Sequence, residues 1–288
     1  MSDVFTAACV QNTAERDVAP TMATLSDLIR RARDAGGDLI MTPEVCAMLE
    51  PRRKLAATKV ELVESNAALA MFKDLAKETG AWILVGSMAV KLSDGGRFAN
   101  RSFLVTPEGD VTAKYDKIHM FDVDVAEGES YRESKGYRPG DHATLAATPW
   151  GALGMTVCYD MRFPYLYREL AKAGADFLAA PSAFTVPTGR AHWHVLLRAR
   201  AIENGCFMFA PAQVGEHAEG RKSYGHSLIV DPWGEVLADG GEEVGFVTAK
   251  IDVSKVAEAR AKVPSLFNDR EYASPVAIRR AQQVAAED

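Results

Sequence analysis

From its N-terminus the chain sets out short apolar strands and amphipathic helices in the order strand, helix, strand, helix, strand, hairpin, and then sets out that order again. In the first round, 5–10 is a compact apolar strand. Residues 21–35 have helical periodicity, with Met22, Leu25, Leu28, Ile29 and Ala32 on one face and Gly36-Gly37 ending it. A strand at 38–42 runs into Pro43-Glu44, a helix at 61–79 is closed by Gly80, and a strong strand covers 81–88. Segments 102–106 and 111–115 read as a hairpin across Pro107-Glu108-Gly109-Asp110. After a polar stretch at 122–141 the second round has strands at 152–157, 177–180 and 206–210 with helices at 165–173 and 191–204 between them. A hairpin at 226–230 and 235–238 turns at Asp231-Pro232-Trp233-Gly234, a late strand covers 246–251, and Ser254 is a plausible N-cap for a helix at 256–262. No residue repeat accompanies this repeat of elements. The alternation predicts two packed sheets with helices outside, a layered α/β domain.

The 288 residues suit one large α/β domain or two smaller ones and suffice for a substantial core. Net charge is −6 without a long block of either sign, so nucleic-acid binding is not expected. The N-terminus lacks the basic-then-apolar pattern of a signal peptide, and no run approaches the ~20 apolar residues of a membrane helix. Cys9, Cys46, Cys158 and Cys206 are far apart, with no C-x-x-C pair and no zinc-type spacing. These features predict a cytoplasmic protein with reduced thiols, no metal and no cofactor. The weakly periodic tail after Pro264 is expected to pack on something else, such as a second subunit.

Chemistry gathers where strands end. The strand at 152–157 stops at Cys158 in Gly154-Met155-Thr156-Val157-Cys158-Tyr159-Asp160-Met161-Arg162-Phe163-Pro164. A cysteine on a tight strand-to-helix turn follows the logic of a nucleophile elbow, and nearby helix amides favour a thiolate. The competing reading is an inert buried thiol. Glu44 could be a general base at a strand end or a simple surface charge. Lys117 could stabilise an oxyanion or be solvated, and His119 fits a structural hydrogen bond better than a base. Cys46, two residues from Glu44, is a rival nucleophile, but its apolar neighbours favour burial, and Cys9 and Cys206 read as core.

Pro43-Glu44, then Lys114-Tyr115-x-Lys117-x-His119, then Cys158-Tyr159-Asp160-x-Arg162-Phe163-Pro164 resemble the three signature regions of the nitrilase, or carbon–nitrogen hydrolase, superfamily. Pro181-Ser182-Ala183-Phe184, Thr188-Gly189-x-Ala191-His192-Trp193, Leu197-Arg198-Ala199-Arg200-Ala201-Ile202-Glu203, Tyr224-Gly225-His226-Ser227 and Val230-Asp231-Pro232-Trp233-Gly234 look like its Nit-type amidase branch. The resemblance spans roughly residues 4–270. Thr42 stands where an aromatic is common, and Tyr165 replaces an acidic residue, which bears on substrate preference.

The resemblance implies a four-layer α-β-β-α sandwich, with residues 1–270 as a single carbon–nitrogen hydrolase domain and 271–288 as a C-terminal tail. It implies Cys158 as nucleophile, Glu44 as general base, Lys117 with the backbone N–H of Tyr159 as oxyanion holders, and Glu133 as a second active-site glutamate. It further implies an amidase acting through a thioester on a small carboxylate-bearing amide. Deaminated glutathione is the first expectation; ω-amides such as α-ketoglutaramate or α-ketosuccinamate are the alternative, and nitrilase or carbamoylase activity lies further off. Arg162, Phe184, Thr185 and Thr188 are the expected pocket residues, Arg162 being either a carboxylate anchor or the partner of an acidic neighbour. Family members form homodimers or larger homo-oligomers, so that is expected too; no nucleic acid or membrane is expected as a partner.

Overall fold

The computed structural model describes residues 3–126 and 129–274. One six-stranded sheet has the order β16-β1-β2-β3-β4-β5, from β1 (Val4–Gln11), β2 (Leu39–Met41), β3 (Trp82–Val90), β4 (Ala99–Val105), β5 (Val111–Asp116) and β16 (Gly245–Asp252). The other has the order β15-β14-β11-β10-β9-β8, from β8 (Thr144–Thr148), β9 (Gly151–Met155), β10 (Phe177–Ala179), β11 (Phe207–Ala210), β14 (Leu228–Val230) and β15 (Val236–Asp239). Each sheet has three parallel strands, β1-β2-β3 and β9-β10-β11, an antiparallel pair after the third, and one antiparallel strand beside the first. The repeated order of the sequence is thus a repeat of sheets.

Alternation along the strands builds the layers. On β1, Ala7 and Cys9 face the second sheet and pack with Leu153, Met155, Phe177 and Phe209. Ala8 and Val10 face the other way, onto Met22, Leu25 and Ile29 of α1 (Val18–Asp34) and Phe72 of α3 (Ala67–Thr79). The second sheet is covered likewise by α4 (Pro164–Lys172) and α5 (Val186–Asn204), whose Leu166, Leu170, Trp193 and Leu197 are buried. Helix, sheet, sheet and helix form the four expected layers.

Several boundaries differ from the sequence reading. The segment at 61–79 is divided: Asn66 accepts a 2.9 Å hydrogen bond from the Leu69 amide and starts α3 there. A short exposed helix, α2 (Arg53–Lys59), precedes it. Helix α5 begins earlier than expected, with Pro187 in its first turn. Ser254 is the first residue of α6 (Ser254–Lys262) rather than its cap, and its hydroxyl donates to Asp252. The polar stretch holds a hairpin, β6 (Asp122–Ala126) with β7 (Glu129–Arg132), and a further hairpin pairs β12 (Val214–Glu216) with β13 (Lys222–Tyr224). Residues 271–274 have no regular structure and Tyr272 is exposed; the rest of the expected tail lies outside the described residues.

Candidate active site

Loops leaving strand ends of both sheets converge on a cavity of about 470 Å³ lined by Glu44, Lys117, Glu133, Cys158, Tyr159, Phe184, Thr185 and Thr188, among others. Glu44 follows β2 across Pro43. Its approach is so close to β3 that a Cβ on Gly86 would lie 1.8 Å from the Thr42 carbonyl oxygen, and only glycine leaves room. Lys117 is the first residue after β5. Cys158 lies shortly after β9 with φ 48°, the left-handed strain of a sharp elbow, at the start of a short 3-10 helix.

The charged centre is a buried lysine between two carboxylates. Lys117 Nζ donates to Glu44 Oε1 at 2.8 Å and to Glu133 Oε1 and Oε2 at 3.1 and 2.9 Å. Glu44 Oε2 accepts from the Ala183 amide at 2.9 Å, and Glu133 Oε2 accepts from the Phe121 amide at 2.7 Å. Asn100 Nδ2 bridges the two glutamates at 3.0 and 3.1 Å. Burial would raise the Glu44 carboxyl, but the Lys117 charge and donors from Lys117, Cys158 and Ala183 hold it below the usual glutamate range. Burial would likewise neutralise Lys117, and the two glutamates instead keep it charged well above an ordinary lysine.

Cys158 departs from the sequence reading. Its thiol is within hydrogen-bonding reach of Glu44, and burial, with the Glu44 charge beside it, pushes its pKa up rather than down. The elbow therefore holds a protonated thiol next to an ionised carboxylate, not a preformed thiolate. Burial also pushes Cys46 up, to about 12, against the opposing hydrogen bonds with Thr42 and Ser87, and Cys46 does not line the cavity.

The carbon–nitrogen hydrolase family model matches residues 6–261. This chain belongs to the carbon–nitrogen hydrolases. It is a hydrolase of carbon–nitrogen bonds other than peptide bonds. It is similar to a protein from Yersinia enterocolitica named deaminated glutathione amidase, at 41% identity over 84% of this chain and 85% of the relative. It is also similar to the crystal structure of the Caenorhabditis elegans NitFhit protein, with TM-score 0.85 and 34% identity over 93% of this chain and 65% of that longer one. Saccharomyces cerevisiae Nit3, of branch 10 of the nitrilase superfamily, matches with TM-score 0.81 and 27% identity over 92% and 96% of the two chains.

Around the site of this hydrolase the remaining expected residues are arranged unevenly. Thr185 and Thr188 share a 2.7 Å hydroxyl–hydroxyl hydrogen bond on the wall. Arg162 is not on the wall. Its guanidinium lies over the rings of Phe184 and Tyr159, 5.4 and 6.0 Å from their centroids, and faces His192 rather than an acidic neighbour. Tyr165 is 61% exposed and also stands off the cavity, pairing its hydroxyl with His119 Nε2 at 2.7 Å. His119 makes the structural hydrogen bond expected of it, with Nδ1 2.7 Å from Asp160 Oδ1.

Sequence reasoning did not single out Asn100, Asp160 or Arg221. Asn100 sits inside β4, where an asparagine reads as a weak strand residue. Asp160 lies within the quoted cysteine motif and is fully buried. Arg221 lines the cavity from the loop before β13. Away from the cavity, the described residues hold one group of metal-ligating type, His194, His226 and Asp239. Asp239 accepts from both imidazoles, at 2.9 and 2.8 Å, and from the Gly241 amide, so hydrogen bonding accounts for its geometry.

Proposed function

We propose that this hydrolase cleaves the amide bond of deaminated glutathione through a thioester on Cys158. The observation that carries the reading is the convergence of Cys158, Glu44 and Lys117 on one cavity. Glu44 takes the thiol proton as Sγ attacks the amide carbon, and the carbonyl electrons move to oxygen. Lys117 and the Tyr159 amide, in the first turn of the 3-10 helix where backbone donors lack helical partners, hold that oxyanion. Collapse breaks the C–N bond as Glu44 returns the proton to the leaving nitrogen. Glu44 then deprotonates the water that attacks the thioester, and the thiol leaves with the proton. Since the resting thiol is protonated, proton transfer and attack proceed together. Glu133 keeps Lys117 charged and in place, and Phe184, Thr185 and Thr188 line the acyl pocket.

The relatives named deaminated glutathione amidase support the substrate. The test is a panel of deaminated glutathione, α-ketoglutaramate and α-ketosuccinamate, with release of amine or ammonia measured and Cys158→Ala as control. Faster kcat/KM on the two ω-amides would replace the first substrate. No turnover of any would defeat the substrate assignment, and activity surviving in Cys158→Ala would overturn the mechanism.

The same reading keeps residues 1–270 as one domain, in a homodimer or larger homo-oligomer. Its support is exposed apolar side chains, Val195 and Ile202 on α5 and Trp233 in the β14–β15 turn, exposed by 68, 51 and 58%, with the neighbouring Gly234 against Ile202; sedimentation of the pure protein tests it. The reading also places the protein in the cytoplasm, supported by four unpaired cysteines. Among the described residues no helix is long and apolar enough to cross a membrane.

A further inference from the structure

We propose that Arg221 is a carboxylate-binding subsite of the cavity, holding an acid group on the acyl half of the substrate. The inference rests on the amidase reading above for the identity of that substrate, but its evidence is separate. Three cations line the cavity: Lys117, Arg132 and Arg221. Lys117 is held between Glu44 and Glu133, and its charge is committed to them and to the oxyanion. Arg132 grips both oxygens of Asp124 at 2.8 and 2.9 Å and donates to the Val123 and Tyr131 carbonyls. Arg221 is different. Its Nη2 donates to the Ala183 carbonyl at 3.0 Å, its guanidinium lies 5.4 Å from the Tyr131 ring centroid, and its buried Nε has no hydrogen-bond partner.

The Arg221 Nε is the one orphaned buried side-chain donor among the described residues. A buried donor without an acceptor is costly to leave unmet, and a charged one more so. The nearby acid that could have served, Glu219, is turned to Arg16 and Arg52 at 3.2 and 3.0 Å. Among the described residues no carboxylate pairs with Arg221, so its charge is left for an acid group entering the cavity it lines, which a guanidinium binds with short charge-assisted hydrogen bonds.

Position supports the same ligand. Arg221 is bonded to Ala183, whose amide holds Glu44 Oε2 and contacts the Cys158 thiol. The guanidinium is therefore about one residue of chain from the reacting centre, the reach of a short dicarboxylic acyl group with one end on sulfur. The ring of Tyr131 on one side and the Ala183 carbonyl bond on another fix its orientation, so little is lost in ordering it when the acid arrives.

Two measurements test this. The first is calorimetric binding of glutarate, a plain dicarboxylate probe, to wild type, Arg221→Lys and Arg221→Gln. The expected result is at least a tenfold weaker Kd in Arg221→Gln, with partial retention in Arg221→Lys. The second is the ratio of kcat/KM for deaminated glutathione to that for its neutral methyl ester at the keto-acid end. That ratio should collapse at least tenfold in Arg221→Gln, chiefly through KM. Glutarate binding that is absent from wild type, or undiminished in Arg221→Gln, overturns the subsite, as does an unchanged ratio. If glutarate binding depends on Arg221 while deaminated glutathione is not hydrolysed, the subsite stands and the substrate reading falls.

Discussion

The hydroxyl of Tyr115 donates a 2.7 Å hydrogen bond to Asp160 Oδ2, joining the strand that delivers Lys117 to the elbow that carries Cys158. Asp160 also accepts from the Val157 amide at 2.8 Å, inside the elbow, and from the His119 amide at 3.0 Å, on the lysine side. One fully buried carboxylate thus sets the spacing between oxyanion holder and nucleophile. Tyr115→Phe keeps the ring and removes one donor, so stability should fall by ~1–3 kcal/mol in urea unfolding, with a drop in kcat larger than any change in KM. Asp160→Asn should cost more, because it turns N–H groups toward existing donors. A Tyr115→Phe enzyme with unchanged kcat would show that the two loops are spaced by something else.

Glu133→Gln tests whether the second glutamate is needed as a charge. The amide fits the same space and can still accept from Phe121, so the fold should survive with a melting temperature within a few degrees of wild type. Lys117 loses one of two flanking charges, and kcat should fall about a hundredfold or more, ~3 kcal/mol of barrier. Near-normal steady-state rates would remove Glu133 from the mechanism.

What could be read ahead of the structure follows from how each residue is signalled. Glu44 and Cys158 follow apolar runs and Lys117 follows the second arm of a hairpin, so pattern alone sets them near strand ends, and family motifs join them. Asn100 and Arg221 carry no such mark: one interrupts a buried strand and the other sits in a polar loop, and only cross-strand packing brings them to the cavity. Hairpin β6–β7 carries little sequence signal because β6 alternates aspartates with valines that are only half-buried and β7 is polar apart from Tyr131. Arg162 lies beside the right ring but behind it, which sequence spacing cannot resolve. Sequence offered both helix-end amides that favour a thiolate and burial that opposes one at Cys158, and only the packed structure shows that burial, with the Glu44 charge, is the larger effect.

Asn100 makes the two glutamates a pair, donating to both through one nitrogen. Asn100→Leu should leave KM nearly unchanged and lower kcat by about ten- to a hundredfold, ~1.4–2.7 kcal/mol. Asn100→Asp tests the electrostatics separately. A third carboxylate beside Glu44 favours its protonated form, so the acid limb of kcat/KM should move to higher pH. In wild type that limb should lie below the ordinary glutamate pKa, because Lys117 holds Glu44 ionised as pH falls. An Asn100→Asp profile superimposable on wild type would show that the acid limb is not set by Glu44.

His217 gives the fold a defined acid sensitivity. Its Nδ1 lies 3.1 Å from the Ala14 carbonyl and its Nε2 2.9 Å from the Ser223 hydroxyl, tying the β12–β13 hairpin to the loop after β1. Burial, reinforced by the nearby Arg221 charge, depresses its pKa from 6.5 to about 4, against the opposing pull of the Ala14 carbonyl. The folded protein therefore keeps this imidazole neutral at pH values where the unfolded chain protonates it. Between pH 6.5 and about 4 the unfolded state binds the extra proton, so this contribution is full above pH 6.5 and is lost as pH falls toward 4. The interval corresponds to ~3 kcal/mol. Urea unfolding across that range should show stability falling by close to one proton's worth of slope from this group. His217→Gln, which keeps hydrogen-bonding capacity but cannot titrate, should flatten the slope by that amount at some cost in stability at neutral pH. An identical slope in the variant would assign the acid sensitivity to other groups.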